Sequence, residues 1–127
     1  MKEMKMASAF ISYATDASTK AKQVSGYLAP LPVDTFVFEK DSGGDVKAVP
    51  ARIRREIKRR DAVILILSVK SRDSAWVSHE LGLASGMGKR IFVFKTAHNL
   101  ELPDYLDEYQ VIVLDKLEDL DSYFGPN

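Results

Sequence analysis

The stretch SRDSAWVSHELGLA (71–84) carries the residues best suited to chemistry in this chain. Glu80 stands four residues after Trp76, the only tryptophan, so on a helix the two share one face. Asp73 or Ser74 can open that helix by accepting hydrogen bonds from its first free amides. Val77, Leu81 and Ala84 supply an apolar stripe for the core. The plainer reading of Glu80 is a surface carboxylate beside that stripe. The functional reading is a carboxylate against an aromatic wall, poised for a charged substrate.

Other candidates are weaker. With His79 and His98 as the only histidines and no cysteine, a transition-metal site built from side chains is not expected. GMGKR (86–90) has the glycines of a phosphate loop but follows a helix and precedes a strand, so it reads as a helix stop. SGG (42–44) lies in the polar connection EKDSGGDVKA, either a permissive turn or a binding loop. RIRREIKRR (52–60) holds six basic residues against Glu56, and 101–121 holds eight acids against Lys116. The basic run is either a solvated helix face or a docking surface, with Arg54 and Arg55 as its assembly candidates.

These residues need a scaffold, and the hydrophobic pattern supplies one. AFISY (9–13), TFVF (35–38), AVILIL (62–67), RIFVF (90–94) and QVIVL (110–114) are short apolar runs suited to strands buried on both faces. Helical spacing separates them. Ala17, Ala21, Val24 and Leu28 form a stripe over 16–29, with Asp16 placed to begin the helix. Val49, Ile53 and Ile57 do the same over 49–60 behind Pro50, and 74–86 follows with Gly86 and Gly88 as its stop. A weaker helix is expected over 116–124, and 95–109 holds a short helix or a loop.

Strand and helix in alternation predict an α/β fold, a flavodoxin-like three-layer sandwich around a five-stranded parallel sheet of order 2-1-3-4-5. In such sheets ligands bind beyond the carboxyl ends of the strands. A phosphoacceptor receiver domain shares this plan but needs acids after strands one and three. Here those strands end in Ser12-Tyr13 and Leu67-Ser68, which excludes it.

A chain of 127 residues with 46% hydrophobic and 28% charged residues reads as one soluble domain, 1–127. The absence of cysteine suits a reducing compartment. The apolar runs are too short to span a bilayer, and the amino terminus leads into a strand without a leader pattern, so a cytoplasmic location is expected. A pI near 6.7 argues against a dedicated nucleic-acid binder.

AFISYATD (9–16), ILILSVKSRDSAWVSHELGLA (64–84) and KRIFVF (89–94), in this order, resemble the Toll/interleukin receptor (TIR) domain, and most of all its compact prokaryotic members in defence and signalling. The most specific part is a serine after the third strand followed by S-x-W-V-x-x-E. The resemblance implies self-association and, in enzymatic members, NAD cleavage with release of nicotinamide. It assigns Glu80 as the catalytic carboxylate. Phe10, Ser12, Tyr13, Ala14, Ser74 and Trp76 fall on substrate-binding positions. The loop over 39–48, with Asp41, Gly43, Gly44 and Asp45, falls on a segment that completes a neighbour's site in assembled members. Ala14 stands where the animal enzyme is often basic, and Gly43-Gly44 replaces the proline-glycine pair of receptor adaptors.

A single carboxylate suits this reaction. The nicotinamide of NAD is already a cationic leaving group and needs no general acid, so what must be stabilised is an oxocarbenium-like ribose. Glu80 could stabilise it electrostatically, form a covalent intermediate or hold ribose hydroxyls. Trp76 and Tyr13 offer flat faces for rings. NAD is thus expected as substrate, with no resident cofactor, no membrane or nucleic-acid partner, and an activating partner protein or assembly as the trigger. Two rivals stand beside this: a non-catalytic scaffold acting by TIR–TIR association, and a module that senses a nucleotide without consuming it.

Overall fold

The computed structural model describes residues 7–40, 51–72, 75–104, 106, 111–113 and 117–125. Strands β1 (Ala7–Ala14), β2 (Val33–Lys40), β3 (Ala62–Leu67), β4 (Arg90–Lys95) and β5 (Val111–Val113) form one sheet in the order β2-β1-β3-β4-β5. All four pairings are parallel. The body of the sheet is β2-β1-β3-β4. The fifth strand, expected over 110–114, is a three-residue edge that pairs Val93, Phe94 and Lys95 with Val111, Ile112 and Val113.

Every residue of β3 is buried, as a central strand covered on both faces requires. Helices α1 (Ser18–Leu28) and α4 (Asp121–Phe124) cover one face, and α2 (Ala51–Arg59) and α3 (Ala75–Gly86) the other. The period of two in the strands therefore divides the core. Ala9, Ile11, Ile64, Ile66, Phe92 and Phe94 pack with Val24, Leu28, Leu120 and Phe124 on the first face. Phe10, Val63, Leu65, Leu67 and Val93 pack with Ile53, Ile57, Val77 and Leu81 on the second. This is the doubly wound arrangement of flavodoxin-like proteins.

Two helix ends differ from, or refine, the sequence pattern. A 3-10 turn over Thr15–Ala17 precedes α1, so the helix begins at Ser18 and Asp16 does not cap it. At the other end of the sheet, α3 stops as GMGKR suggests. Lys89 N donates to Ala84 O at 2.9 Å and Gly88 N to Ser85 O at 3.1 Å, with Gly88 at φ +69°. These are the paired bonds of a Schellman stop, whose left-handed residue favours glycine.

The 95–109 connection contributes Leu100 and Leu106 to the second core. It is tied down by Thr96 N donating to Leu67 O at 3.0 Å and by Arg72 Nη1 donating to Glu101 O at 3.2 Å. Among the described residues no helix is long and apolar enough to cross a membrane.

Candidate active site

Glu80 lies in the core-facing stripe of α3, between Val77 and Ala84, and is fully buried. The surface-carboxylate reading is therefore overturned. A carboxylate removed from water costs several kcal/mol unless donors replace its hydration. One donor is Ser12 on β1, whose hydroxyl donates to Glu80 Oε1 at 3.0 Å. Ser12 is also fully buried and is flanked across the sheet by Phe38 on β2 and Leu65 on β3. The bond joins the central part of the sheet to the helix packed against it.

Aromatic rings continue from this pair toward the sheet edge. Trp76, half-buried one turn before Glu80, lies 5.5 Å from the Phe38 ring at an interplanar angle of 60°. Phe38 in turn lies 6.3 Å from Phe10, which stacks on Phe36 at 5.6 Å and 16°. Phe10, in the middle of this row of rings, is fully buried. Ala14 is buried at the end of β1.

Tyr13 is not brought to this row. Adjacent residues of a strand point to opposite faces, so with Phe10 and Ser12 toward α3, Tyr13 faces the α1 side. There its hydroxyl donates to Glu39 Oε2 at 2.9 Å. Burial first, and then the Glu39 carboxylate, push the Tyr13 phenol above its ordinary value. Strand parity thus sets Tyr13 and Trp76 on opposite faces of the sheet. Ser74, Asp41, Gly43, Gly44 and Asp45 lie outside the described residues.

The loops after β1 and β3 are fastened to each other at the same edge. Asp16 Oδ1 accepts from the Ser68 hydroxyl at 2.6 Å, and its Oδ2 accepts from Lys70 N at 3.2 Å. Ser68 N donates to Ser71 Oγ at 2.9 Å, and Arg72 N donates to Ser68 O at 2.9 Å. Both serines are buried. Sequence reasoning assigned Asp16 to helix capping and missed this clamp, because its partners lie 52 and 54 residues away. The clamp holds the turn from which the polypeptide enters α3.

The basic helix separates into two groups. Arg60 pairs with Asp34 and Glu56, each at 2.9 Å, and lies with Arg52 over the Phe36 ring, both at 5.7 Å. Arg54 and Arg55 are exposed. Among the described residues no three His, Asp or Glu side chains gather as a metal site requires.

The TIR domain family matches residues 9–123 of this chain. No curated protein matches it by sequence. Among solved structures, the TIR domain of the Toll-related receptor TRR-2 from the lower metazoan Hydra magnipapillata is similar at a TM-score of 0.58 and 15% identity, over 91% of this chain and 90% of that one. A 2-desoxiribosyltransferase from Leishmania mexicana is similar at 0.57 and 19% identity, over 94% and 97%. At these identities the likeness is one of fold.

Proposed function

From the premise that the chain belongs to the TIR domain family, we propose that it is an enzyme that cleaves the N-glycosidic bond of NAD and releases nicotinamide. The observation that carries this reading is a glutamate with no exposed surface, held by a buried serine beside an aromatic wall. A residue needed only for solubility has no reason to occupy such a place, since an apolar side chain there is cheaper. The resemblance between S-x-W-V-x-x-E and the motif of enzymatic members gives that glutamate its task. The fold neighbour named as a desoxiribosyltransferase handles, by its name, a related sugar group.

In this mechanism Glu80 faces the anomeric carbon as the C–N bond lengthens, and its carboxylate stabilises the positive charge that builds on the ribose. Nicotinamide departs neutral, taking the bonding electron pair. Water then takes the anomeric position and gives up a proton to the Glu80 carboxylate or to solvent, giving hydrolysis, or a ring nitrogen of the adenine of the same molecule takes it, giving cyclisation. Trp76 offers a ring face to the nicotinamide. Because Glu80 is fully covered in the described conformation, substrate entry requires the cover to move.

NAD is the substrate and no resident cofactor is invoked. A single domain in the cytoplasm, triggered by self-association or a partner protein, completes the reading. In the second reading, a non-catalytic TIR scaffold, Arg54 and Arg55, which are exposed, would meet another copy.

The test is to incubate concentrated protein with NAD and measure free nicotinamide. Wild-type chain should release it, and Glu80→Gln, which keeps size and hydrogen bonding but removes charge, should lose at least about a hundredfold in rate. Equal release by the Gln variant, its fold verified by circular dichroism, removes Glu80 from the mechanism. Absence of release by the wild type at every concentration favours the scaffold.

A further inference from the structure

Family resemblance counts Ser12 among the residues that touch substrate. The geometry points elsewhere: we propose that Ser12 is a positioning residue, whose hydroxyl fixes the Glu80 carboxylate so that the reaction coordinate meets it in one orientation. This inference rests on the proposed NAD cleavage.

The row of β1 that faces α3 runs Phe10, Ser12, Ala14, all fully buried. A hydroxyl in such a row is costly unless it is satisfied. Serine has one proton to donate, and here it goes to Glu80 Oε1 at 3.0 Å. A substrate contact that uses this proton would have to break that bond first. The two residues also differ in mounting. Ser12 sits on a strand paired on both sides, to Phe38 and to Leu65, so its place is set by two backbone ladders. Glu80 reaches out from a helix on a side chain with three rotatable bonds. Pinning Oε1 to the sheet removes rotation of the carboxylate and so sets the direction in which Oε2 points. Such preorganisation of a charged group, maintained by a rigid element, is what electrostatic stabilisation of a transition state requires.

A positioning residue and a substrate contact leave different kinetic marks. Loss of orientation weakens an interaction realised in the transition state and lowers kcat, whereas loss of a ground-state contact raises KM. Wild type, Ser12→Ala, Ser12→Thr and Glu80→Gln are therefore compared for nicotinamide release, each normalised to its folded fraction by circular dichroism. Ser12→Ala should lose about 10- to 100-fold in kcat with KM within about threefold. Ser12→Thr keeps the hydroxyl and suits a strand, and should recover most of that loss. In the double variant Ser12→Ala/Glu80→Gln, the serine change should have no further effect on the rate, because the charge that the serine orients is already gone.

Other outcomes overturn the assignment. A raised KM with unchanged kcat makes Ser12 a substrate contact. Equal loss in the Ala and Thr variants, or no loss in either, leaves Ser12 with packing alone. An inactive wild type removes the proposed function itself, and the role of Ser12 with it. An active wild type with an equally active Ser12→Ala variant removes only the latter.

Discussion

Two carboxylates near the same edge of the sheet, Glu80 and Asp16, have opposite situations. Glu80 is sealed in the core, whereas Asp16 is exposed and spends both oxygens on the loop after β3. Asp16→Ala leaves the Ser68 hydroxyl and the Lys70 amide to seek other partners. It should cost about 1 kcal/mol in a denaturant titration, with exposure keeping the figure low. A larger effect should appear in catalysis, because the clamp holds the entry to α3 and thereby the registry of Trp76 and Glu80. Tyr27 offers a separate reading of local electrostatics. Its hydroxyl donates to Asp121 at 2.7 Å, and this bond, followed by desolvation and the neighbouring acids, pushes the phenol from 10.0 up to about 12. A folded value above the unfolded one means the contribution to stability is complete below pH about 10 and disappears as pH rises through about 12. Tyrosinate absorbance should therefore show a component that titrates near pH 12, and Tyr27→Phe should remove it. If the component near pH 12 persists in that variant, the Tyr27–Asp121 bond is not its source.

At the scale of elements, α2 shows how a uniform sequence acquires unequal roles. Six cations in RIRREIKRR look alike in composition. Arg60, with only 11% of its side chain exposed, bridges Asp34 and Glu56 over the Phe36 ring, so it joins α2 to the edge strand β2. Arg60→Ala should cost about 1–2 kcal/mol, through the freed acid Glu56 and the uncovered ring. Reversal of the exposed Arg54 and Arg55 should stay within about 0.5 kcal/mol. Thermal unfolding of the two variants side by side checks the contrast, and equal losses refute it. The same division explains what was legible beforehand. Strand positions and helix stripes were readable because a buried sheet demands continuous apolar runs and its helices demand spacing of three and four. The closeness of Trp76 to Glu80 followed from that spacing. Contacts between distant elements, such as Asp16 with Ser68 or Ser12 with Glu80, leave no periodic trace. Tyr13 is the intermediate case, since its parity against Ser12 can be read along the strand, whereas its bond to Glu39 cannot.

The molecule as a whole carries no net charge, yet its exposed cations on α2 and its acid-rich stretch over 101–121 are segregated along the chain. Copies that meet head to tail can set one patch against the other, a contact that closes into rings or runs on as filaments. Such contacts weaken with salt, since screening acts beyond roughly 8 Å at physiological ionic strength. Specific NAD-cleaving activity should thus rise with protein concentration and fall with added salt, and Arg54→Glu with Arg55→Glu should lower it at fixed concentration. Constant specific activity across about a hundredfold dilution, with only monomer in sedimentation, refutes assembly. The Ser12–Glu80 bond has a consequence of another kind, because it spans 68 residues. During synthesis β1 leaves the ribosome long before α3, and closing so long a loop waits on the docking of β3 between them. The carboxylate thus acquires its anchor only when the sheet is assembled. Under the proposed mechanism, a chain truncated before α3 should release no nicotinamide from NAD, and only the completed fold should be competent to react.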